Sequence, residues 1–127
     1  MRFLSLFVSG SLVVSFSFFS PFSSANQASI DAIKQFWPED LQDIALRIAY
    51  RESNYIPSVT GCSGKCTGLF QIMYSVHRSW LVSLGITNQD QLKDPEINAR
   101  AAYHLFKITG EDWSPWCHPS GFPVFCH

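Results

Sequence analysis

The sequence predicts an all-α domain, and three observations carry that prediction. Apolar residues recur at helical spacing in two stretches, Leu41-Ile44-Ala45-Ile48-Ala49 and Ile97-Ala101-Leu105-Ile108. Helix punctuation brackets them: Pro38 before the first, Asp94-Pro95-Glu96 before the second and Gly110 after it. No stretch alternates apolar and polar residues as a half-buried strand would.

The N-terminal segment stands apart from this pattern. Arg2 precedes an apolar run from Phe3 to Phe19, and six of the eleven phenylalanines fall within the first 22 positions. Small residues at Ser23 and Ala25 supply the −3/−1 pattern that a signal peptidase accepts. Residues 1–25 are therefore expected to be a signal peptide, and 26–127 the mature domain, secreted or periplasmic. Five serines dilute the run and Pro21 ends it, which fits poorly with a spanning helix of ~20 apolar residues. No stable membrane insertion is expected.

Within the mature part, Asn26 to Gln35 reads as a short helix with Ile30 and Ile33 inward. The next helix, Pro38 to Ser53, carries Glu39, Asp40 and Asp43 near its N-terminus, where the helix dipole favours negative charge. Asn54 to Thr67 holds Pro57, Gly61 and Gly64 and is a loop. A third helix spans about Met73 to Leu84, with Val76, Trp80, Leu81 and Leu84 on one side and Gly85 as its stop. The fourth begins at the Asp94 cap. The tail from Glu111, rich in proline, tryptophan and cysteine, shows no regular element.

Nine Lys and Arg against ten Asp and Glu give a formal charge of −1, which argues against a nucleic-acid partner. Cys62, Cys66, Cys117 and Cys126 all lie in the mature part, and an even count in an exported chain reads as two disulfides. Four cysteines allow three pairings; the nearest-neighbour one, Cys62–Cys66 with Cys117–Cys126, is preferred. His118 and His127 beside cysteines suggest zinc as a rival, but an oxidising compartment disfavours thiolates and the spacings match no common module. No metal or cofactor is expected.

Glu52 attracts attention by its position. Eleven residues at 3.6 per turn bring it within about 20° of the azimuth of Leu41, so the apolar face ends in a carboxylate. A carboxyl group against apolar walls loses hydration of its charged form, which suits it to hold a proton and serve as a general acid. The plainer reading is a side chain that bends to water or pairs with Arg47, Arg51 or Lys65.

The residues around Glu52 resemble a known family. Glu52-Ser53, Tyr55, Pro57 and then Gly68-Leu69-Phe70-Gln71-Ile72-Met73 are similar to the signature of the lytic transglycosylase domain of the lysozyme superfamily. Asp94-Pro95-Glu96-Ile97-Asn98 with Ala101-Ala102-Tyr103 resembles the family's Asp-Pro-x-x-Asn helix. Trp113-Ser114-Pro115-Trp116 with Ser120-Gly121 resembles the ending of compact members. The likeness spans about residues 40–121. Phe70 stands where Met is commoner, the loop carrying Cys62 and Cys66 is longer, and Cys117-His118-Pro119 replaces the Tyr-Asn-x-Gly element of many members.

The resemblance implies a small lysozyme-like helical domain, monomeric, acting on peptidoglycan glycan strands. Glu52 would be the acid/base that cleaves the β-1,4 bond between N-acetylmuramic acid and N-acetylglucosamine, without a cofactor. Thr60, Gln71, Met73 and Trp116 would contact the sugars. The alternatives are a lysozyme-type hydrolase of the same bond, with a second carboxylate drawn from Asp90, Asp94, Glu96, Glu111 or Asp112, and a catalytically silent glycan-binding module.

Overall fold

The computed structural model describes residues 10–15 and 24–117. Four α-helices frame the domain: α1 (Ser24–Phe36), α2 (Glu39–Ser53), α3 (Tyr74–Ser83) and α4 (Pro95–Ile108). Between α2 and α3 lies a three-stranded antiparallel sheet in the order β1 (Thr60–Gly61), β2 (Cys66–Thr67) and β3 (Ile72–Met73). Short 3-10 turns occupy Gln89–Lys93 and Ser114–Trp116.

Each helix end has a local cause. Pro38 precedes α2 without a side-chain cap, and Glu39 and Asp40 place negative charge in the first turn, where the helix dipole favours it. Asn54 ends α2 in the left-handed region at φ 51°, its N–H donating to Tyr50 O at 2.8 Å. Tyr55 follows at φ 61°, so two left-handed residues turn the chain sharply just after Glu52 and Ser53. Asp94 caps α4, its Oδ1 accepting from the amides of Glu96 at 2.9 Å and Ile97 at 3.0 Å.

The core forms around Trp37, 2% exposed in the junction between α1 and α2. Its indole stacks on Phe70 (5.5 Å, 22°) and on Trp113 (5.4 Å, 10°) and meets the rings of Tyr103, Phe106 and Trp116 at steeper angles. Ile33 of α1, Ile48 of α2, Leu81 of α3 and Leu105 of α4 complete it. Truncating a residue such as Trp37 to Ala in this setting costs about 3–5 kcal/mol.

The fold class expected from the sequence, all-α and stapled by two disulfides, needs correction on both counts. The architecture is mixed, helices plus sheet. Each strand is two residues long, pairing Thr60 with Thr67, Gly61 with Cys66, Cys66 with Met73 and Thr67 with Ile72. Alternation needs four or more residues to register in a sequence, so these strands exist only through their partners.

Among the described residues there is one complete disulfide, Cys62–Cys66, with Cα atoms 5.3 Å apart. No described cysteine is a free thiol. Cys126 lies outside the described residues, as do residues 1–9 and 16–23 of the expected signal segment.

Two helix faces also differ from expectation. Val76 and Ile108 are exposed, 65% and 51%, although both fall on the apolar stripe. The tail is not irregular throughout, since Ser114–Trp116 forms a 3-10 turn that returns Trp116 to the core.

Candidate functional site

Glu52 sits in the last turn of α2 with its side chain 15% exposed. Its Oε1 lies 2.8 Å from Nη2 of Arg51, and the same Nη2 donates to Trp116 O at 2.6 Å. Of the pairings the sequence allowed for Glu52, Arg51 is the one recorded. One guanidinium thus joins the end of α2 to the C-terminal 3-10 turn.

The hairpin that follows is held by side chains reaching its backbone. Asn98, fully buried on α4, accepts from Phe70 N–H at 2.9 Å and donates Nδ2 to Thr67 O and Leu92 O, both at 2.9 Å. Gly68 allows this approach. Its φ is +82°, and a Cβ there would collide with Asn98 Nδ2 and Leu92 O. Asn98 is therefore a scaffold residue.

Gln71 adopts φ 49°, a left-handed conformation uncommon outside glycine, and its Nε2 donates to Val59 O at 3.0 Å and Gly68 O at 2.9 Å. Both amide protons are thereby engaged within the hairpin. Gly61 lies against Gln71 so closely that a Cβ on it would come within 2.5 Å of Oε1.

A cavity of about 220 Å³ opens beside this hairpin. Gln71, Met73 and Trp116 line it, which brings three of the four expected sugar-binding residues together. Thr60 does not line it; it is exposed on β1, on the far side of β2 from β3. Glu52 is not a lining residue either and connects to the cavity through Arg51 and Trp116.

Trp116 is 4% exposed, and its Nε1–H donates to Phe70 O at 2.9 Å, so its donor and most of its surface belong to the core. Cys66, of the disulfide, also borders the cavity.

The sequence reads His77 as a surface or satisfied core histidine. It lines the cavity from α3, half-buried, and its Nδ1 accepts from Trp80 Nε1 at 3.2 Å. Burial pushes its imidazole pKa down. The signal available in the sequence was spacing: one helical turn beyond Met73 is His77.

A second groove, of about 440 Å³, is bordered by Arg47, Tyr50, Arg51 and Tyr55. The two tyrosine rings lie 5.5 Å apart, and burial, then the neighbouring Tyr50, raise the pKa of the Tyr55 hydroxyl.

The carboxylates named as candidates for a second acid have other partners or places. Asp94 caps α4, Asp90 pairs with Lys93 at 3.0 Å, Glu111 pairs with Lys107, and Asp112 Oδ1 accepts from Ser114 N at 2.9 Å. Glu96 is exposed in the first turn of α4. Among the described residues no cluster of His, Cys, Asp and Glu is arranged to hold a metal.

The profile of the lysozyme-like domain family matches residues 35–118, about two thirds of the chain. The chain belongs to that family. This lysozyme-like domain takes in α2, the sheet, α3, α4 and the C-terminal 3-10 turn, so the match covers every residue of the site just described. No curated protein and no solved structure matches the chain significantly. Family membership gives a glycan-acting domain with the potential to cleave; no helix among the described residues is long and apolar enough to cross a membrane.

Proposed function

We propose that the chain is an exported lytic transglycosylase that cuts peptidoglycan between N-acetylmuramic acid and N-acetylglucosamine, with Glu52 as its single acid/base. The observation that carries this reading is the placement of Glu52: a largely enclosed carboxylate, held by Arg51 to the same Trp116 that borders the cavity with Gln71 and Met73. The signal-like residues 1–25 support export.

In this mechanism the Glu52 carboxyl gives its proton to the glycosidic oxygen as the bond to the anomeric carbon breaks. The carboxylate left behind then takes the proton of the muramic acid 6-hydroxyl, whose oxygen closes on the anomeric carbon. The product is a 1,6-anhydro sugar, the proton returns to Glu52, and no water is consumed. The Arg51 guanidinium stabilises the carboxylate between the two proton transfers. A water-using glycosidase needs a second carboxyl about 5–10 Å away, and the scaffold duties of Asp90, Asp94, Glu111 and Asp112 favour the one-acid route.

Mass spectrometry of digested peptidoglycan tests the reading. Anhydro ends from the wild-type chain, lost in Glu52→Gln, are expected. Reducing ends would replace the transglycosylase by a hydrolase, and intact glycan would leave only a binding module. General acid–base groups contribute about 10²–10⁴-fold, so Glu52→Gln should fall at least that far.

A further inference from the structure

Helix α3 turns little of itself into the core. Leu81 is its one buried residue, and Val76 and Val82 are exposed. Ser75, Val76, Arg78, Ser79 and Val82 line a shallow depression of about 550 Å³ on the outward face. At about 100° per residue, their order around the helix is Val76, Ser79, Ser75, Val82, Arg78, an arc of roughly 160°. Val76 also lines the cavity beside the hairpin, so the depression and that cavity share a wall.

The polar groups along this arc point away from the fold's own needs. Arg47, Arg51, Lys93 and Lys107 each pair with a carboxylate, whereas among the described residues Arg78 forms no ion pair. Ser29, Ser53 and Ser83 return their hydroxyls to backbone carbonyls of their own helices. No such bond is found for Ser75 or Ser79 among the described residues, and both are exposed.

A surface that runs from a valine at the cavity wall, over two hydroxyls, to a lone guanidinium suits a short acidic peptide that starts at the cavity. Peptidoglycan carries such a peptide on the lactyl group of its muramic acid, with small apolar and carboxylate-bearing residues. The lengths agree. An arc of 160° on a helix 10–12 Å across is about 15 Å, and four extended residues span about 14 Å. A guanidinium holds a carboxylate through two parallel N–H donors, which gives the far end its selectivity.

We propose that this face of α3 binds the peptide stem of peptidoglycan, leaving the cavity at Val76, crossing Ser79 and Ser75, and placing a stem carboxylate on Arg78. The assignment rests on the glycan-cleaving reading above and extends it from the sugar chain to its peptide. Arg78 is then a specificity-determining residue, remote from the bond that is cut.

The test measures binding separately from cleavage. Full-length Glu52→Gln protein is titrated calorimetrically with two fragments. One is a tetrasaccharide of alternating N-acetylglucosamine and N-acetylmuramic acid bearing tetrapeptide stems; the other is the same tetrasaccharide stripped of its stems by an amidase. The stripped fragment keeps its lactyl carboxylates and so controls for charge alone. Adding Arg78→Gln should weaken the stem-bearing fragment about fivefold, the scale of one exposed charge pair, and leave the stripped one unchanged. Val82→Ser should weaken the stem-bearing fragment alone, and amidating the stem carboxylates should erase the effect of Arg78→Gln.

Equal weakening of both fragments, no weakening, or a parent that binds both equally would overturn the proposal. A dimer in sedimentation that Val82→Ser dissociates would overturn it too, since the face would then belong to a second copy of the chain. The enzymatic reading is decided separately. Anhydro ends released by wild-type protein, with Arg78→Gln binding stems normally, would keep that reading and remove the proposal. Stem-selective binding by a chain that leaves peptidoglycan uncut would do the reverse.

Discussion

Trp116 donates its indole proton to the carbonyl oxygen of Phe70, 2.9 Å away and 46 residues earlier in the chain. That bond closes the C-terminal turn over the hairpin, and the adjacent Arg51 bond to Trp116 O ties the same turn to Glu52. The residue expected to contact the sugars is therefore first a latch. Trp116→Phe keeps an aromatic ring, though a smaller one, and leaves the Phe70 carbonyl buried without this donor, which should cost at least about 1–3 kcal/mol in urea denaturation. A variant as stable as wild type would show that the latch contributes nothing.

Arg51 is expected to act as a positioning residue for Glu52. Arg51→Lys retains the charge but not the planar fork that spans Glu52 and Trp116 O. Misplacing a reacting group by about 1 Å can cost 10²-fold, so kcat should fall roughly 10–100-fold with little change in KM. A lysine variant with full kcat would remove Arg51 from the mechanism.

Asn98→Ala should unsettle the hairpin from within the core. It strands the Phe70 amide and the Thr67 and Leu92 carbonyls, and a loss of about 3 kcal/mol or more is expected. Gly68→Ala should be comparably severe, since its methyl group would overlap Asn98 and meet a backbone carbonyl. Thermal unfolding of the two variants checks both; a wild-type Tm in either would contradict the packing described.

The Cys62–Cys66 bridge closes a loop of sequence separation 4 around a turn in which Cys62 and Ser63 are both left-handed, at φ 53° and 58°. The chain-entropy relation gives about 2 kcal/mol for so short a loop. The double variant Cys62→Ser/Cys66→Ser should lose about that much by denaturant titration, with an unchanged m-value. A loss below a few tenths would mean that pairing to β2 and β3 alone holds the turn.

His77 should leave a mark on stability as a function of pH. Its pKa is lowered in the folded chain by burial. Above about pH 6.5 the ring is neutral in both folded and unfolded chains and adds no pH dependence. As pH falls through that value the unfolded chain takes up the proton first, so stability drops until the lower folded pKa is passed. His104, whose ring also contacts Trp80, is the neighbour to hold constant. Between pH 7.5 and 5.5 the wild type should lose more stability than His77→Gln; equal losses would contradict the shift.

Much of the helical frame was legible in the sequence because its signals are local. Asp94-Pro95 and Asn54 act within one turn of themselves, and the stripe from Leu41 to Ala49 follows one helix. The sheet was not legible, because Thr60–Gly61, Cys66–Thr67 and Ile72–Met73 are strands only by virtue of one another.

The site divides in the same way. Motif spacing brought out Gln71, Met73 and Trp116, which meet at one cavity. It could not show that the donors of Gln71 and Trp116 are already engaged, or that Thr60 lies away from that cavity. His77 reads in the sequence as a surface or satisfied core residue, because a histidine on a helix has no sequence signature for the Trp80 indole that donates to it.

The missing side chain at Gly61 sets a condition on the whole hairpin. A single added carbon would press on the Gln71 amide and push it off the two carbonyls it bridges, loosening the strands and reshaping the rim of the cavity at once. Architecture and recognition thus share one side chain, so a mutation at position 61 would alter both traits together, and a compensating change would have to repair both.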